Sequence, residues 1–205
     1  MESLENKLTI IIIGRSGSGK GTQAHFVLSR LKKLGVRHIE TGQLLRGILN
    51  KKNNPTTEVA RDLMKKGDIF PYWFATFVWV KEMIERGAVA YHLVFDGAPR
   101  KIEEAKLLDS VMEWHGRHLP IAVYVDVGRE ECTRRLLERQ RADDNPTAIH
   151  HRLDFFEADV IPVIKYYKKN KRLIQVNGEQ ESEKVWREID RKLAKKIGDK
   201  WPTVK

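Results

Sequence analysis

Short apolar runs recur along the chain and alternate with longer stretches of mixed polarity. The first run, residues 8–13, is continuous and rich in β-branched side chains, which is typical of a strand buried on both faces. Similar runs follow at residues 36–39, 93–95, 121–127 and 173–176. Strands that alternate with helices form a parallel sheet with helices on both faces. The pattern therefore predicts an α/β fold with a five-stranded parallel sheet.

Helical periodicity characterises the stretches between these runs, at residues 21–34, 101–115, 130–139, 146–169 and 181–197. Asn145 followed by Pro146 predicts a helix start, because asparagine caps helix N-termini and proline fits the first helical position. A further set recurs at the spacing of one helix face: Trp73, Phe77, Val80 and Ile84. We expect this aromatic stripe to pack in the core.

Length and composition limit the classes of protein to which the chain can belong. The 205 residues, 41% hydrophobic and 32% charged, predict a single globular domain over residues 1–205. The longest apolar run, residues 70–80, is well short of the ~20 residues that a membrane span needs. Cys132 is the only cysteine, which excludes an intrachain disulfide and a cysteine-cluster zinc site. Without a visible secretory signal, we expect a cytoplasmic monomer that does not contact membranes.

The net charge of +10 raises the alternative of a nucleic-acid-binding protein. Many of the lysines lie in helical stretches or in the tail at residues 192–205, where solvated basic faces are common. Charge alone would give weak, salt-sensitive attraction to polyanions. Nucleic acid is therefore not the partner that we expect first.

A glycine-rich turn that ends in lysine follows the first strand directly. Residues 14–22 read Gly-Arg-Ser-Gly-Ser-Gly-Lys-Gly-Thr, which is the phosphate-binding loop G-x-x-x-x-G-K between a buried strand and a helix. Backbone N–H groups of such a loop surround a phosphate, and the following helix directs its positive end at the same charge. Lys20 would reach the β- and γ-phosphates of ATP. The predicted ATP-binding residues of the loop are Gly14, Ser16, Gly17, Ser18, Gly19, Lys20, Gly21 and Thr22.

The form Gly-Lys-Gly-Thr resembles the adenylate kinase and nucleoside monophosphate kinase family, and further matches follow in family order. Residues 39–46 resemble I-S-T-G-D-x-L-R, residues 67–71 resemble G-x-L-V-P, and residues 96–100 resemble D-G-F-P-R. Residues 135–139 fit R-x-x-x-R, and residues 141–145 with Arg152 resemble R-x-D-D-N and its partner arginine. Each match alone is weak, whereas the ordered set is specific. The resemblance implies a P-loop NTPase-type sheet with a helical acceptor flap and a very short lid.

The same resemblance implies reversible, Mg²⁺-dependent phosphoryl transfer from ATP to AMP, which gives two ADP. It assigns catalysis to Lys20, Arg100, Arg139, Arg141 and Arg152. Arg135 and Arg139 contact ATP, with Arg135 stacked on its adenine, and Asp96 binds Mg²⁺ through water. The residues assigned to AMP are Thr41, Arg46, Ile69, Gly97, Arg100, Glu104, Arg141 and Arg152. Such a site is chemically reasonable because phosphoryl transfer needs positioning and charge neutralisation, and the arginine fork suits phosphate oxygens.

Two mobile parts are implied around this site. The acceptor flap spans about residues 41–71 and the lid about residues 139–145. Only Gln140 separates Arg139 from Arg141, so the lid is minimal and has no zinc-binding capacity. Lid closure expels water, which would otherwise accept the phosphoryl group.

The identity of the acceptor is left open. Thr41 favours AMP, because pyrimidine-specific members tend to have alanine there, and Lys101 replaces the asparagine of their D-G-F-P-R-N form. Glu104, however, aligns with the glutamine of the AMP-specific form D-G-F-P-R-T-x-x-Q. Ionised glutamate only accepts hydrogen bonds, which suits guanine better than adenine. The alternatives are a kinase of UMP, CMP, GMP or another small molecule, and a nucleotide-dependent RNA-binding or regulatory protein.

Overall fold

The computed structural model describes residues 4–51, 53–66, 68, 70–139 and 145–202. Over these residues, five parallel strands form one sheet in the order β2-β3-β1-β4-β5. The strands are β1 (Thr9–Ile13), β2 (Val36–Glu40), β3 (His92–Asp96), β4 (Ile121–Asp126) and β5 (Leu173–Asn177). Each lies within one residue of the bounds predicted from the apolar runs. The predicted fold class is confirmed.

The helices lie between the strands in the order that the sequence predicts. They are α1 (Lys20–Leu31), α2 (Thr41–Lys51), α3 (Pro55–Lys66), α4 (Tyr72–Glu85), α5 (Ile102–Trp114), α6 (Arg129–Arg139), α7 (Pro146–Phe155), α8 (Ile161–Lys169) and α9 (Ser182–Ile197). The predicted cap of α7 is present, since Asn145 Oδ1 accepts the Ala148 N–H at 2.9 Å and Pro146 occupies the first turn. One wider π-turn, Phe156–Val160, separates α7 from α8 where the sequence pattern predicts a single helix.

Strand β1 shows why its apolar run is continuous. Ile10 and Ile12 point to the face covered by α1 and α9, while Ile11 and Ile13 point to the face covered by α4, α5 and α8. All four side chains are at most 4% exposed. An alternating polar pattern would have buried polar groups on one of these faces. The central strand is thus held by two separate cores, with its carboxyl end free to lead into the phosphate-binding loop.

A third, smaller core lies outside the sheet and joins α2, α3 and the first half of α4. Its buried members are Leu45, Leu49, Ala60, Phe70, Phe74 and Val78. Because this cluster is separate from the two sheet cores, α2 and α3 form a lobe that adjoins the sheet on the side of β2. The lobe coincides with the segment predicted as the acceptor flap.

The expectation that the aromatic stripe of α4 packs in the core is wrong for most of its members. Trp73 is 55% exposed, Phe77 50% and Ile84 76%, and Val80 is half-buried. The inner side of α4 is instead formed by residues such as Trp79, which is 1% exposed against Phe95. The spacing identified one helix face correctly, but α4 is apolar on nearly all sides, so the spacing could not tell which face turns inward. None of the helices in the described ranges has the length and apolar character to cross a membrane.

Candidate active site

The glycines of the phosphate-binding loop are required by its backbone. Gly17 and Gly19 have φ of +86° and +81°, in the left-handed region that side chains disfavour. A Cβ at Gly17 would also lie 2.7 Å from the carbonyl oxygen of Cys132 in α6. Helix α1 begins at Lys20, directly after this turn, so the helix N-terminus and the Lys20 ammonium group lie at the same end of the loop. Backbone dipole and side-chain charge thus favour an anion at one place.

A cavity of about 620 Å³ opens beside the loop, between the sheet and the α2–α3 lobe. Its charged lining comes from separate parts of the chain and comprises Lys20, Glu40, Arg46, Arg61, Asp68, Asp96, Arg100, Arg139 and Arg152. Its apolar lining includes Leu45, Leu49, Met64, Phe70, Phe155 and Val160. The lobe contributes Leu45, Leu49, Met64 and Phe70 to the apolar surface, while α1, the turn before α5, α6 and α7 contribute the cations Lys20, Arg100, Arg139 and Arg152. This division suits a ligand with a flat apolar part and a polyanionic part.

The cations of the cavity are close enough to affect one another. Burial lowers the pKa of Lys20, and the charges of Arg100 and Arg139 lower it further, while Asp96 opposes the shift. Burial also lowers the pKa of Arg100, with Arg152 adding to the effect and Glu104 and Asp96 opposing it. Mutual repulsion of this kind is relieved when an anion enters between the cations. The cavity is therefore electrostatically prepared for phosphate groups.

Asp96 occupies the carboxyl end of β3, where the sequence predicts a metal-linked carboxylate. Its Oδ2 would lie 3.5 Å from a Cβ at Gly21, so glycine at that position leaves room between the carboxylate and the start of α1. A hard oxygen donor beside a phosphate site fits Mg²⁺, which keeps several waters and needs few protein ligands. Over the described ranges, no group of three or more His, Cys, Asp or Glu side chains is placed to hold a metal ion. A Mg²⁺ ion held at Asp96 would take further ligands from substrate oxygens and water.

Arg100 is fixed by the turn that precedes α5. Its Nε donates to the Gly97 carbonyl at 2.7 Å, and Gly97 has φ of +86° with the Arg100 guanidinium 3.3 Å from its Cβ position. The Arg100 backbone N–H donates to Glu104 Oε2 at 2.7 Å. Gly97 and Arg100 both line the cavity.

Glu104 and Thr41 are only 1% and 2% exposed, and neither lines the cavity. Over the described residues, Glu104 Oε1 and Thr41 Oγ1 have no hydrogen-bond partner, although the Trp79 side chain approaches the Glu104 carboxyl group. Thr41 lies against the Gly97 turn, 3.9 Å from the Gly97 Cβ position. Two buried polar atoms without partners over the described residues thus lie beside the turn at residues 97–100, behind the side chains that line the cavity.

Several predicted residues lie at the periphery or outside the described ranges. Arg46 is mostly exposed and contacts Glu40 at 3.4 Å. Arg135 does not line the cavity; its Nε donates to Glu131 at 2.6 Å and its Nη1 to the Gly178 carbonyl at 3.3 Å. In the phosphate-binding loop, Gly14, Ser16 and Lys20 line the cavity, Ser18 is buried and Thr22 is exposed. Arg141 and Ile69 lie outside the described residues.

The sequence analysis missed the role of Arg15, the second residue of the loop. Its guanidinium donates to Glu157 Oε1 at 2.7 and 3.0 Å, to the Tyr124 hydroxyl at 3.2 Å and to the Val127 carbonyl at 2.9 Å. It also lies 4.7 Å from the centre of the Phe156 ring. Phe156 and Glu157 belong to the π-turn, so Arg15 joins the phosphate-binding loop to the segment after α7, which carries Arg152. No local motif marks this contact, because Glu157 is 142 residues away.

We expect Arg15→Ala to raise the KM for ATP about 10-fold with a smaller effect on the KM for AMP. The physical reason is that charge-assisted hydrogen bonds of about 1.5–3 kcal/mol hold the loop in its anion-binding conformation. A matched control is Arg30→Ala, since Arg30 is about equally buried and pairs with Asp190 at 2.6 Å beside Trp186 on the opposite face of the sheet. Arg30→Ala should lower stability and leave both KM values unchanged. Equal KM shifts in the two variants would contradict a specific role for Arg15.

A phosphate-binding loop after the central strand of a parallel sheet, opening on an arginine-lined cavity, defines a P-loop phosphotransferase. Comparison with known proteins makes the class specific. The family model described as "Adenylate kinase" matches residues 12–172. The chain is 31% identical to adenylate kinase 1 of Nostoc sp. over 180 residues, which cover 88% of this chain and 95% of the relative. It is 33% identical to the adenylate kinase of Thermus thermophilus over 185 residues, which cover 88% and 94%. The chain belongs to the adenylate kinase family.

Proposed function

We propose that the chain catalyses the reversible transfer of a phosphoryl group from ATP to AMP, which gives two ADP. The observation that carries the proposal is the single cavity in which Lys20 meets Asp96, Arg100, Arg139 and Arg152. These groups come from four segments of the chain and surround one place for negative charge. The family membership and the names of the relatives support the same reaction. The single cysteine supports a cytoplasmic setting.

Each part of the site has a distinct task in this reaction. The phosphate-binding loop and Lys20 bind the phosphates of ATP, and Arg100 holds the phosphate of the acceptor. Arg139 and Arg152 reach the space between them and neutralise the charge that builds up during transfer, since this transition state spreads charge over the phosphoryl oxygens. Arg141 is proposed to join them. Mg²⁺, when bound with ATP near Asp96, would screen the phosphate charges and orient them for in-line transfer.

We also propose that the α2–α3 lobe, about residues 41–71, acts as the acceptor flap and residues 139–145 as the lid of one domain. The apolar lining from Leu45, Leu49 and Phe70 offers a surface for the base of the acceptor. Asp68 of the lobe already contacts α7 through His151, with 3.3 Å between Oδ1 and Nδ1. The lobe and α7 therefore already meet beside the cavity.

The test is to incubate the purified protein with Mg-ATP and each of AMP, GMP, UMP and CMP, and to separate the products. We expect ADP from AMP, with loss of activity when EDTA removes the metal. Formation of no diphosphate from any monophosphate would refute the enzymatic proposal. GMP is the acceptor to compare most closely with AMP, because Glu104 stands where the AMP-specific form has glutamine and an ionised glutamate suits the N–H donors of guanine.

The shortness of the lid leads to a further prediction. With only Gln140 between Arg139 and Arg141, the lid should exclude water less completely than a longer one. We expect slow release of inorganic phosphate from Mg-ATP in the absence of acceptor. Lys20→Met is the control, because it should abolish phosphate release by this site and leave any contaminating ATPase unchanged. Equal release by both proteins, or none by the wild type, would mean that the site is sealed.

A further inference from the structure

We propose that the chain forms a two-fold symmetric dimer through the outer faces of α4 and α5. The two helices lie in contact on the same face of the sheet and share one core, to which α4 contributes Trp79 and Met83, and α5 contributes Leu108 and Met112. Their opposite sides must therefore point outward together. The proposal concerns this outward surface, called here the α4–α5 face.

The α4–α5 face is unusually apolar. On α4, Trp73, Phe77 and Ile84 recur four and seven residues apart, and each is at least half exposed. On α5, Leu107 and Trp114 are seven residues apart and 38% and 83% exposed. Such spacings place each set on one stripe of its helix, about 40° wide or less. The side of α4 that the sequence predicted for the core is thus exposed, and α5 carries a second exposed tryptophan.

The area of this face matches what a stable dimer buries. Taking about 250 Å² for a free tryptophan and somewhat less for the others, the five side chains expose roughly 650 Å². This value is at or above the largest apolar patch of an ordinary monomer, about 300–600 Å². With the half-buried Val80 and Val111 included, the exposed apolar surface of the two helices approaches the ~800 Å² that each partner contributes to a standard interface.

The charges of the face favour a second copy over a polyanion. Within residues 72–86 and 102–114, the side chains that are not buried comprise three basic and four acidic residues: Lys81, Arg86, Lys106, Glu82, Glu85, Glu103 and Glu113. Lys81 pairs with Glu85 at 3.0 Å and Arg86 with Glu82 at 3.2 Å. On a chain with a net charge of +10, this is therefore a slightly acidic region. An anionic membrane or a nucleic acid would be attracted to other surfaces.

Charges of both signs on these two helices are, in contrast, compatible with a second copy of the same surface. A two-fold axis brings the same surface of each copy together, so basic groups of one copy can meet acidic groups of the other. The active-site cavity is lined by none of the five apolar side chains, so pairing through this face leaves the cavity open. The proposal replaces the monomer expected from the sequence and does not depend on the proposed activity.

The test is sedimentation velocity over a range of protein concentrations, with wild type, Ile84→Glu and Leu34→Glu. Wild type should reach twice the mass of the 23.8 kDa chain. Ile84→Glu should raise the dissociation constant about 100-fold, because each dimer would bury two unpaired carboxylates. Leu34→Glu is the matched control: Leu34 is 46% exposed after α1 and lies outside the α4–α5 face, so this variant should dimerise like wild type.

Circular dichroism and turnover would confirm that all three proteins are folded, since none of the changed residues lines the cavity. A wild type that stays monomeric at every concentration overturns the proposal, as does a dimer that Ile84→Glu leaves intact. A parallel arm uses phosphatidylcholine vesicles. If the monomeric wild type binds them and Ile84→Glu does not, the face is a membrane-binding surface and the dimer proposal is wrong.

Discussion

Lys20→Met is expected to reduce kcat by about 100-fold or more while the protein remains folded. Lys20 begins α1 at the phosphate-binding loop, lines the cavity and has its pKa lowered by burial and by Arg100 and Arg139. Removal of one preorganised electrostatic donor typically lowers kcat by a factor of about 10²–10³. Methionine preserves the length of the side chain and removes only the charge. The fold should tolerate this change, because a partly desolvated cation is lost from a cluster of like charges.

The measurement is steady-state ADP formation together with thermal unfolding. Lys165→Met, which removes an exposed lysine from α8, controls for the change in net charge and should retain normal kcat and Tm. Retention of near-normal turnover in Lys20→Met would exclude this residue from the transfer step. A large fall in Tm together with kcat would instead mean that Lys20 is needed for the loop to fold.

The parts of the fold that the sequence predicted well are those determined by local chemistry. The apolar, β-branched run that forms β1 is typical of a strand buried on both sides, and two of the glycines that follow it, Gly17 and Gly19, adopt the positive φ that glycine favours. Asn145 and Pro146 likewise determine the start of α7 within a few residues of chain. In each case the cause and the structure lie in the same short segment.

The parts that were missed depend on contacts that are distant in sequence. The spacing of Trp73, Phe77 and Ile84 defines a helix face, but whether that face turns inward depends on α5 and β3, which the periodicity of α4 does not describe. The contact of Arg15 with Glu157 depends on a π-turn that interrupts a segment with regular helical periodicity. Sequence motifs located the cavity because they mark single positions. They could not reveal how the loop is held in place.

Glu104 combines both situations, since the sequence marks its position and only the structure gives its environment. The side chain is 1% exposed, and burial raises the pKa of the carboxyl group. Hydrogen bonds from the backbone N–H groups of Arg100 and Lys101 and from the Trp79 side chain, together with the charge of Arg100, oppose this shift. Oε2 accepts the Arg100 N–H, which leaves Oε1 as the oxygen without a partner over the described residues. A neutral carboxyl group can donate its O–H from Oε1 to a base, whereas the ionised group can only accept. The protonation state of Glu104 therefore decides whether it suits adenine N1 or the N–H donors of guanine.

We expect Glu104→Gln to raise the ratio of kcat/KM for AMP over GMP by about 10-fold at neutral pH. A mismatched buried hydrogen bond costs about 1–3 kcal/mol, and about 1.4 kcal/mol corresponds to one factor of ten. The glutamine amide keeps an acceptor for the Arg100 N–H and presents a permanent donor. Glu103→Gln, on the exposed side of the same turn of α5, is the matched control and should leave the ratio unchanged. A ratio that is unchanged or lower in Glu104→Gln would show that this residue does not read the base.

The pH dependence separates base recognition from a purely structural role. Because folding raises the pKa of Glu104, its contribution to the free energy of unfolding is fully present below the pKa of the unfolded chain and is lost as pH rises through the higher folded pKa. A structural role alone would therefore make the wild-type Tm fall over this interval relative to Glu104→Gln, with the AMP-to-GMP ratio constant. If Glu104 also reads the base, the wild-type ratio should fall over the same interval, because the ionised carboxylate loses the donor that adenine needs. The Glu104→Gln variant should show neither change. If the wild-type Tm responds to pH while the wild-type AMP-to-GMP ratio of kcat/KM does not, Glu104 acts on the fold alone.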